Sequence, residues 1–191
     1  SAALSQAKAN LAVAEANLAA LTAGTRPEQL AIDQNAVTSA IVSAYAVADG
    51  AVHTSADQFF TNPRTASAGL TFIVPDIALA NTVVQERVAL ESVFVAWNAQ
   101  ISSPSFGLGD PTAASTQAVE HLTQVSTFLN DAAAALSKAQ PSGSLTAATL
   151  TTYQSNIASA RTAISSALTA LISAKGALTL AQAGSTSESI A

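Results

Sequence analysis

The stretch LTTYQSNIASARTAISSALTALISAKGALTLA, at residues 150–181, decides the fold of this chain. Apolar residues recur in it at alternating steps of three and four, which places them on one stripe of an α-helix. The stripe consists of Leu150, Tyr153, Ile157, Ala160, Ile164, Ala167, Leu171, Ala174, Leu178 and Ala181. Because large residues alternate with alanine along most of it, we predict a long helix that packs closely against a neighbouring helix.

The same spacing occurs in two other segments. One stripe near the N-terminus comprises Leu4, Ala7, Leu11, Ala14, Leu18 and Leu21, and another comprises Ala118, Leu122, Val125, Leu129, Ala132, Leu136 and Ala139. Segments 27–60 and 77–101 are also predicted to be helical, with broader apolar faces that suit a bundle interior. We therefore predict an all-α fold: an elongated antiparallel bundle of four long helices plus an N-terminal hairpin or coiled-coil helix.

Turn and capping residues divide this fold. Residues 1–26 are expected to form a coiled-coil hairpin arm, residues 27–182 the four-helix bundle, and residues 183–191 the start of a further, truncated helix. Asp76 is the predicted N-cap of the helix over 77–101, and Asp110 is the predicted N-cap of the next helix, with Pro111 in its first turn. The apolar run at residues 70–74 is interpreted as a loop packed onto the bundle.

Composition argues against several classes of partner and site. Seven Lys and Arg residues against twelve Asp and Glu give a net charge of -5, so no nucleic acid partner is expected. The chain has no Cys, which removes disulfides and thiolate chemistry. The strongest membrane-span candidate that the sequence suggests, residues 34–48, is short and carries polar residues, so no transmembrane segment is predicted.

The titratable residues do not form a recognisable catalytic pattern, so we predict no enzyme, no cofactor and no metal site. His53 has Asp49 and Asp57 four residues to either side, an arrangement that holds a metal in some proteins but is interpreted here as an exposed charged stripe. His121 is interpreted as a surface residue. Three further charged residues are expected at the outer edge of the bundle: Glu86, Arg87 and Glu91.

One cluster is the candidate docking site. It gathers apolar and basic residues near one end of the predicted bundle, beside residues 141–144: Phe59, Phe60, Arg64, Leu70 and Phe72. If exposed, the cluster would be a partner-docking tip. If folded inward, it would instead close the end of the bundle.

An internal repeat supplies a further signal. AGTRPEQLA at residues 23–31 recurs as AGSTSESIA at residues 183–191. In each copy Gly can end one helix, and Thr or Ser with Glu three positions later forms a capping box that can begin the next. Both copies therefore predict helix-to-helix junctions.

The run AEANL at residues 14–18, leading into AGTRPEQL from Ala23, resembles the helical-hairpin segment of the HlyD-like membrane fusion proteins. These are the periplasmic adaptor subunits of tripartite exporters, and the resemblance implies a stalk between an inner-membrane pump and an outer channel. The middle of the chain is interpreted as a bundle domain inserted into that hairpin.

The function expected from this resemblance is a non-catalytic periplasmic adaptor or stalk fragment in the cell envelope. Its partners would be exporter or other envelope proteins, or a second copy of the chain. Two alternatives stay open: an extracytoplasmic four-helix bundle that senses a ligand, and a structural surface stalk.

Overall fold

A computed structural model describes the backbone of residues 2–141 and 145–187, and the side chains of residues 4–19, 27–141 and 145–183. The chain is mostly helical, which confirms the all-α prediction. Its long helices are α1 (Ala2–Asp49), α2 (Ile77–Ile101), α3 (Thr112–Lys138) and α4 (Ala147–Ser187). Between α1 and α2 lie a π-helical segment (Gly50–Ala56), a 3-10 turn (Asp57–Phe59) and the two short strands β1 (Phe60–Thr61) and β2 (Gly69–Leu70).

One of the two predicted N-caps is formed. The Asp76 carboxylate accepts a hydrogen bond from the backbone N–H of Leu79 at 3.1 Å, and α2 covers the predicted range. The predicted N-cap at Asp110 is wrong, because Pro111 occupies that position and Asp110 lies one residue earlier. The Asp110 carboxylate still accepts a hydrogen bond from the N–H of Thr112 at 3.0 Å, where α3 begins. In both cases a short acidic side chain satisfies an N–H group that has no partner within the helix.

The predicted stripes of α3 and α4 form the core. All seven residues of the α3 stripe are buried, and those of the α4 stripe are buried or half-buried. α4 packs against both α1 and α3, and α3 also packs against α2. On α1 the buried side of the helix begins at Val37 and continues through Ile41, Ala44 and Ala48.

The predicted junction at the first repeat copy is wrong. α1 is one helix of 48 residues that continues through Pro27. Proline removes one backbone hydrogen bond, but the Ala-rich segments on both sides are strong helix formers. At the second copy α4 likewise continues past Gly184 to Ser187, and the rest of that copy lies outside the described residues.

The segment after α1 differs from the predicted helix over 27–60. The α-helix ends at Asp49, and the chain then widens into the π-helical segment before the 3-10 turn. β1 and β2 pair antiparallel, with Phe60 opposite Leu70, so part of the predicted loop at 70–74 is a strand. Asn62 adopts a φ of 48° after β1, a left-handed conformation that Asn tolerates better than most residues.

α4 is the one helix, among those described, that is long and apolar enough to cross a membrane, over Ala147–Ala183. The sequence had pointed to residues 34–48 instead. In the structure the Ile and Leu stripe of α4 packs against α1 and α3, while Arg161 and Lys175 interact with polar side chains of α3. A single helix with these properties does not establish a membrane span, because core helices of bundles share them.

Candidate functional site

The predicted docking tip lies where the 3-10 turn, β1 and β2 meet the bundle. Its three phenylalanines are buried, and Leu70 is half-buried. The ring of Phe59 lies 5.1 Å from that of Phe60, 6.0 Å from that of Phe72 and 5.6 Å from that of Tyr153, measured between centroids. The cluster therefore closes the bundle end, as in the inward-folded alternative.

Arg64 is the exposed member of this cluster. Its side chain is 56% exposed and its Nε lies 3.5 Å from the Asp57 carboxylate. The aromatic docking surface considered from the sequence is thus not formed, because burying the rings in the core removes more apolar area from water than leaving them at a tip. Of the neighbouring segment 141–144, residues 142–144 lie outside the described part of the chain.

A network of charged residues links the π-helical segment, the 3-10 turn and α2. Arg87 is fully buried and donates to both carboxylate oxygens of Asp57, at 2.6 and 3.0 Å, and to Glu91 at 3.1 Å. The prediction that Arg87 lies at the outer edge of the bundle is therefore wrong. Burial of a guanidinium requires partners of this kind, since an unpaired buried charge is strongly destabilising.

His53 joins the same network. Its Nδ1 lies 2.7 Å from Asp49 and its Nε2 lies 3.4 Å from Glu91, and its side chain is only 11% exposed. Asp57 is turned towards Arg87 instead of His53, so the three residues do not form the exposed stripe that was expected. Within the described ranges, no group of His, Asp and Glu has an arrangement that could hold a metal ion.

A second polar site lies between α2 and α3. Burial raises the pKa of Glu86 to about 7, and the neighbouring carboxylate of Asp131 adds to this shift. The Oε2 atom of Glu86 is buried without a hydrogen-bond partner among the described residues. Glu86 therefore does not lie at an exposed outer edge.

Beside Glu86 lies a cavity of about 390 Å³. Its lining combines polar and apolar side chains from both helices: Glu86, Ala89, Leu90, Gln124 and Thr127. Ala89, Gln124 and Thr127 are exposed, so the cavity is open to solvent on one side.

An aromatic cluster surrounds Trp97. Trp97 is 1% exposed and its ring lies 5.5 Å from Tyr45 and 5.1 Å from His121, so it belongs to the core. His121 is half-buried, so its interpretation as a surface residue is wrong. Burial lowers the pKa of His121, with Glu120 opposing the effect, so the neutral imidazole is favoured.

The N-terminal part of α1 forms an arm, defined here as residues 4–19. All described side chains of the arm are exposed, and Leu4 and Leu11 are both 58% exposed. The expectation that this stripe packs against another helix is therefore not met by the described residues. A row of exposed leucines at heptad spacing is the feature that a helix-pairing surface requires.

No protein-family model, curated protein or solved structure matches this chain. Two of the sites described above were not predicted: the buried Arg87 network and the Glu86–Asp131 pair. The sequence held a signal for the Arg87 network, because Asp57, Arg87 and Glu91 carry a large share of the few charges in the middle of the chain. It did not show that Asp57 and Arg87 would pair, since they are 30 positions apart.

Proposed function

We propose that this chain is a non-catalytic helical adaptor or stalk, in which a bundle positions an arm that pairs with another helix. The observation that supports it most directly is the exposed stripe of the arm, where Leu4 and Leu11 present apolar surface to solvent at a seven-residue interval. Monomeric proteins rarely keep a contiguous apolar stripe exposed unless it serves an interaction.

We further propose that the four long helices form an elongated antiparallel bundle. Side-chain contacts between neighbouring helices run in opposite chain directions, which supports this arrangement. The contacts are Gln100 with Gln117 at 2.7 Å, Lys138 with Asp76 at 2.8 Å, Arg161 with Asn130 at 2.7 Å and Lys175 with Thr116 at 2.8 Å. At about 1.5 Å per residue, α4 with its 41 residues would be roughly 60 Å long.

The setting that we propose is the periplasm or another part of the cell envelope. The sequence resemblance of residues 14–18 and 23–30 to HlyD-like adaptors supports it, although α1 continues through Pro27 without a turn. The exposed arm on the bundle supports it as well. The partner would then be an exporter or envelope protein with an apolar helix, or a second copy of this chain. No nucleic acid partner and no enzymatic activity are part of the proposal.

Photocrosslinking in the host cell tests the adaptor function. A benzophenone side chain placed at Leu4 or Leu11 of the full protein should cross-link to a helical segment with heptad spacing, which mass spectrometry identifies. The matched control is Val95, which is 65% exposed on α2 and lies in the bundle. Equal or absent cross-linking at the arm and at Val95 would contradict the proposal.

A second function is favoured by the cavity between α2 and α3. A small molecule with an ammonium group would fit a site that holds an ionisable carboxyl group and apolar walls, as in a ligand-sensing bundle. Calorimetric titration with butylammonium at pH 8, where Glu86 is mostly ionised, should then show saturable binding that Glu86→Gln removes. The adaptor function predicts no such binding, so the two functions are separated by this measurement.

A further inference from the structure

We propose that the arms of two copies of this chain pair with each other as an antiparallel two-stranded coiled coil. This inference rests on the proposed function, in which the arm pairs with a helix, and it names that helix as the arm of a second copy. It depends on three features of the arm: the order of its large and small residues, its two charges and its two asparagines.

The order of large and small residues is self-complementary when the two helices run in opposite directions. Leucine occupies the first position of each heptad, at Leu4, Leu11 and Leu18, and alanine the fourth, at Ala7 and Ala14. In an antiparallel pair, first positions face fourth positions of the partner helix. Leu11 then lies against Ala14 of the second copy, and Leu18 against its Ala7. With their symmetry mates these make four layers that each pair a large side chain with a small one, while Leu4 lies opposite position 21, outside the arm.

The charges of the arm fit the same alignment. Lys8 and Glu15 are the two charged residues between positions 4 and 19, and both follow directly after an alanine of the stripe. They therefore lie on the same flank of the stripe, one heptad apart. The alignment that places Leu11 against Ala14 brings Lys8 beside Glu15 of the second copy, and symmetry forms this ion pair twice.

The opposite flank is also complementary. Asn10 and Asn17 directly precede Leu11 and Leu18, and the same alignment places Asn10 beside Asn17 of the second copy. Each amide carries both donors and an acceptor, so the two side chains can hydrogen-bond to each other. Such flanking pairs contribute little affinity at an exposed site, but they determine the direction and alignment of the helices.

A parallel pair lacks these matches. It would set leucine layers against leucine and alanine layers against alanine, leaving the alanine layers underpacked at a helix separation that fits the leucines. It would also place Lys8 and Glu15 beside uncharged residues of the partner. The antiparallel arrangement is therefore the one that the sequence of the exposed arm favours.

The dimer is expected to be weak. Residues 4–19 form a helix of roughly 24 Å at the usual rise per residue, and an interface of that length falls below the ~1,200 Å² that is typical of stable complexes. We expect a dissociation constant on the order of 10–1,000 μM. Sedimentation equilibrium over that concentration range therefore measures the association of the full chain.

Charge exchange provides the decisive test. Lys8→Glu places two pairs of carboxylates opposite each other across the dimer, and Glu15→Lys places two pairs of ammonium groups there. The dissociation constant of each variant alone should therefore rise about tenfold or more. An equimolar mixture of the two variants has opposite charges at both places and should dimerise as tightly as the unchanged chain. The double variant Lys8→Glu/Glu15→Lys should do the same.

Glu120→Lys is the matched control for Glu15→Lys, because it makes the same charge change on an exposed position of α3. It should leave the association unchanged, and circular dichroism should show the same helix content and unfolding temperature for all variants. A chain that stays monomeric at the highest concentration overturns the dimer. Dimerisation that is not restored in the mixture also overturns it.

These failures are distinct from a failure of the proposed function. If the chain is monomeric but Leu4 and Leu11 cross-link to a helical envelope protein, the adaptor function stands and the second copy is the wrong partner. If neither association nor arm-specific cross-linking occurs, both proposals are wrong.

Discussion

Arg87 donates hydrogen bonds to both carboxylate oxygens of Asp57, from Nε to Oδ1 at 2.6 Å and from Nη2 to Oδ2 at 3.0 Å. The guanidinium is fully buried and the Asp57 side chain is 10% exposed. This two-point contact ties α2 to the 3-10 turn that follows the π-helical segment. It fixes the position of the chain where the regular helix of α1 has ended.

Replacing Asp57 with Asn should therefore destabilise the fold. The amide keeps the shape of the side chain but leaves Arg87 with Glu91 as its remaining carboxylate partner, at 3.1 Å. We expect a loss of about 2–4 kcal/mol in the free energy of unfolding, which chemical denaturation measures. Asp76→Asn is the control: it removes the exposed ion pair with Lys138 and retains a good helix cap, so the unfolding midpoint should stay nearly unchanged. Equal effects of the two substitutions would contradict the structural role of Arg87.

The sequence could not predict this contact, for a physical reason. Charged residues on a helix are exposed unless a partner lies opposite them, and the partner of Arg87 is 30 positions earlier in an irregular segment. A π-helical segment, Gly50–Ala56, precedes Asp57, and its wider turn shifts later residues out of the α-helical period that the sequence pattern follows. The irregular segment thus determines which side chains meet between the 3-10 turn and α2.

Periodicity predicted the core well, but it did not predict what covers each stripe. The stripes of α3 and α4 are buried, whereas the equally regular stripe of the arm is exposed. Heptad spacing specifies which residues share a face and says nothing about whether the partner helix lies in the same chain. The same limit applies to the junction at Pro27, where the turn signals are present and the helix continues.

Phe59→Ala should distinguish a closing aromatic cluster from a docking tip. Phe59 is fully buried and contacts three other rings, so its removal leaves a cavity in the core. We expect a loss of about 3–5 kcal/mol in the free energy of unfolding, measured by urea denaturation. Ile77→Ala removes a side chain that is 73% exposed and should have little effect. A stable Phe59→Ala variant would show that the ring does not pack as described.

Glu86→Gln should change how stability depends on pH. The pKa of Glu86 is raised from 4.5 to about 7, because burial and Asp131 disfavour the carboxylate. A raised carboxyl pKa contributes stability that is fully present below pH 4.5 and is lost as the pH rises towards 7. The change should be no more than about 1 kcal/mol, since the group is partly solvated.

Urea denaturation of both proteins between pH 4 and 8 measures this difference. The free energy of unfolding of the unchanged chain minus that of Glu86→Gln should be larger at pH 4 than at pH 8. Asp131→Asn should reduce the effect, because it removes the neighbouring charge while leaving Glu86 in place. A pH-independent difference between the unchanged chain and Glu86→Gln would show that Glu86 has an ordinary pKa.

Gly107→Ala and Gly176→Ala are a matched pair of substitutions that test the backbone conformation at the two glycines. Gly107, in the loop between α2 and α3, has a φ of 84°, and an added Cβ would lie 3.3 Å from the Thr38 side chain on α1. Gly107→Ala should therefore lower the free energy of unfolding by about 1–3 kcal/mol, through left-handed strain and the contact with α1. Gly176 lies within α4 with open space around the position of a Cβ, so Gly176→Ala should raise the free energy of unfolding by about 0.5–1 kcal/mol. Thermal unfolding of the two variants should shift in opposite directions. An unchanged or raised unfolding temperature for Gly107→Ala would mean that the loop does not rest on α1 as described.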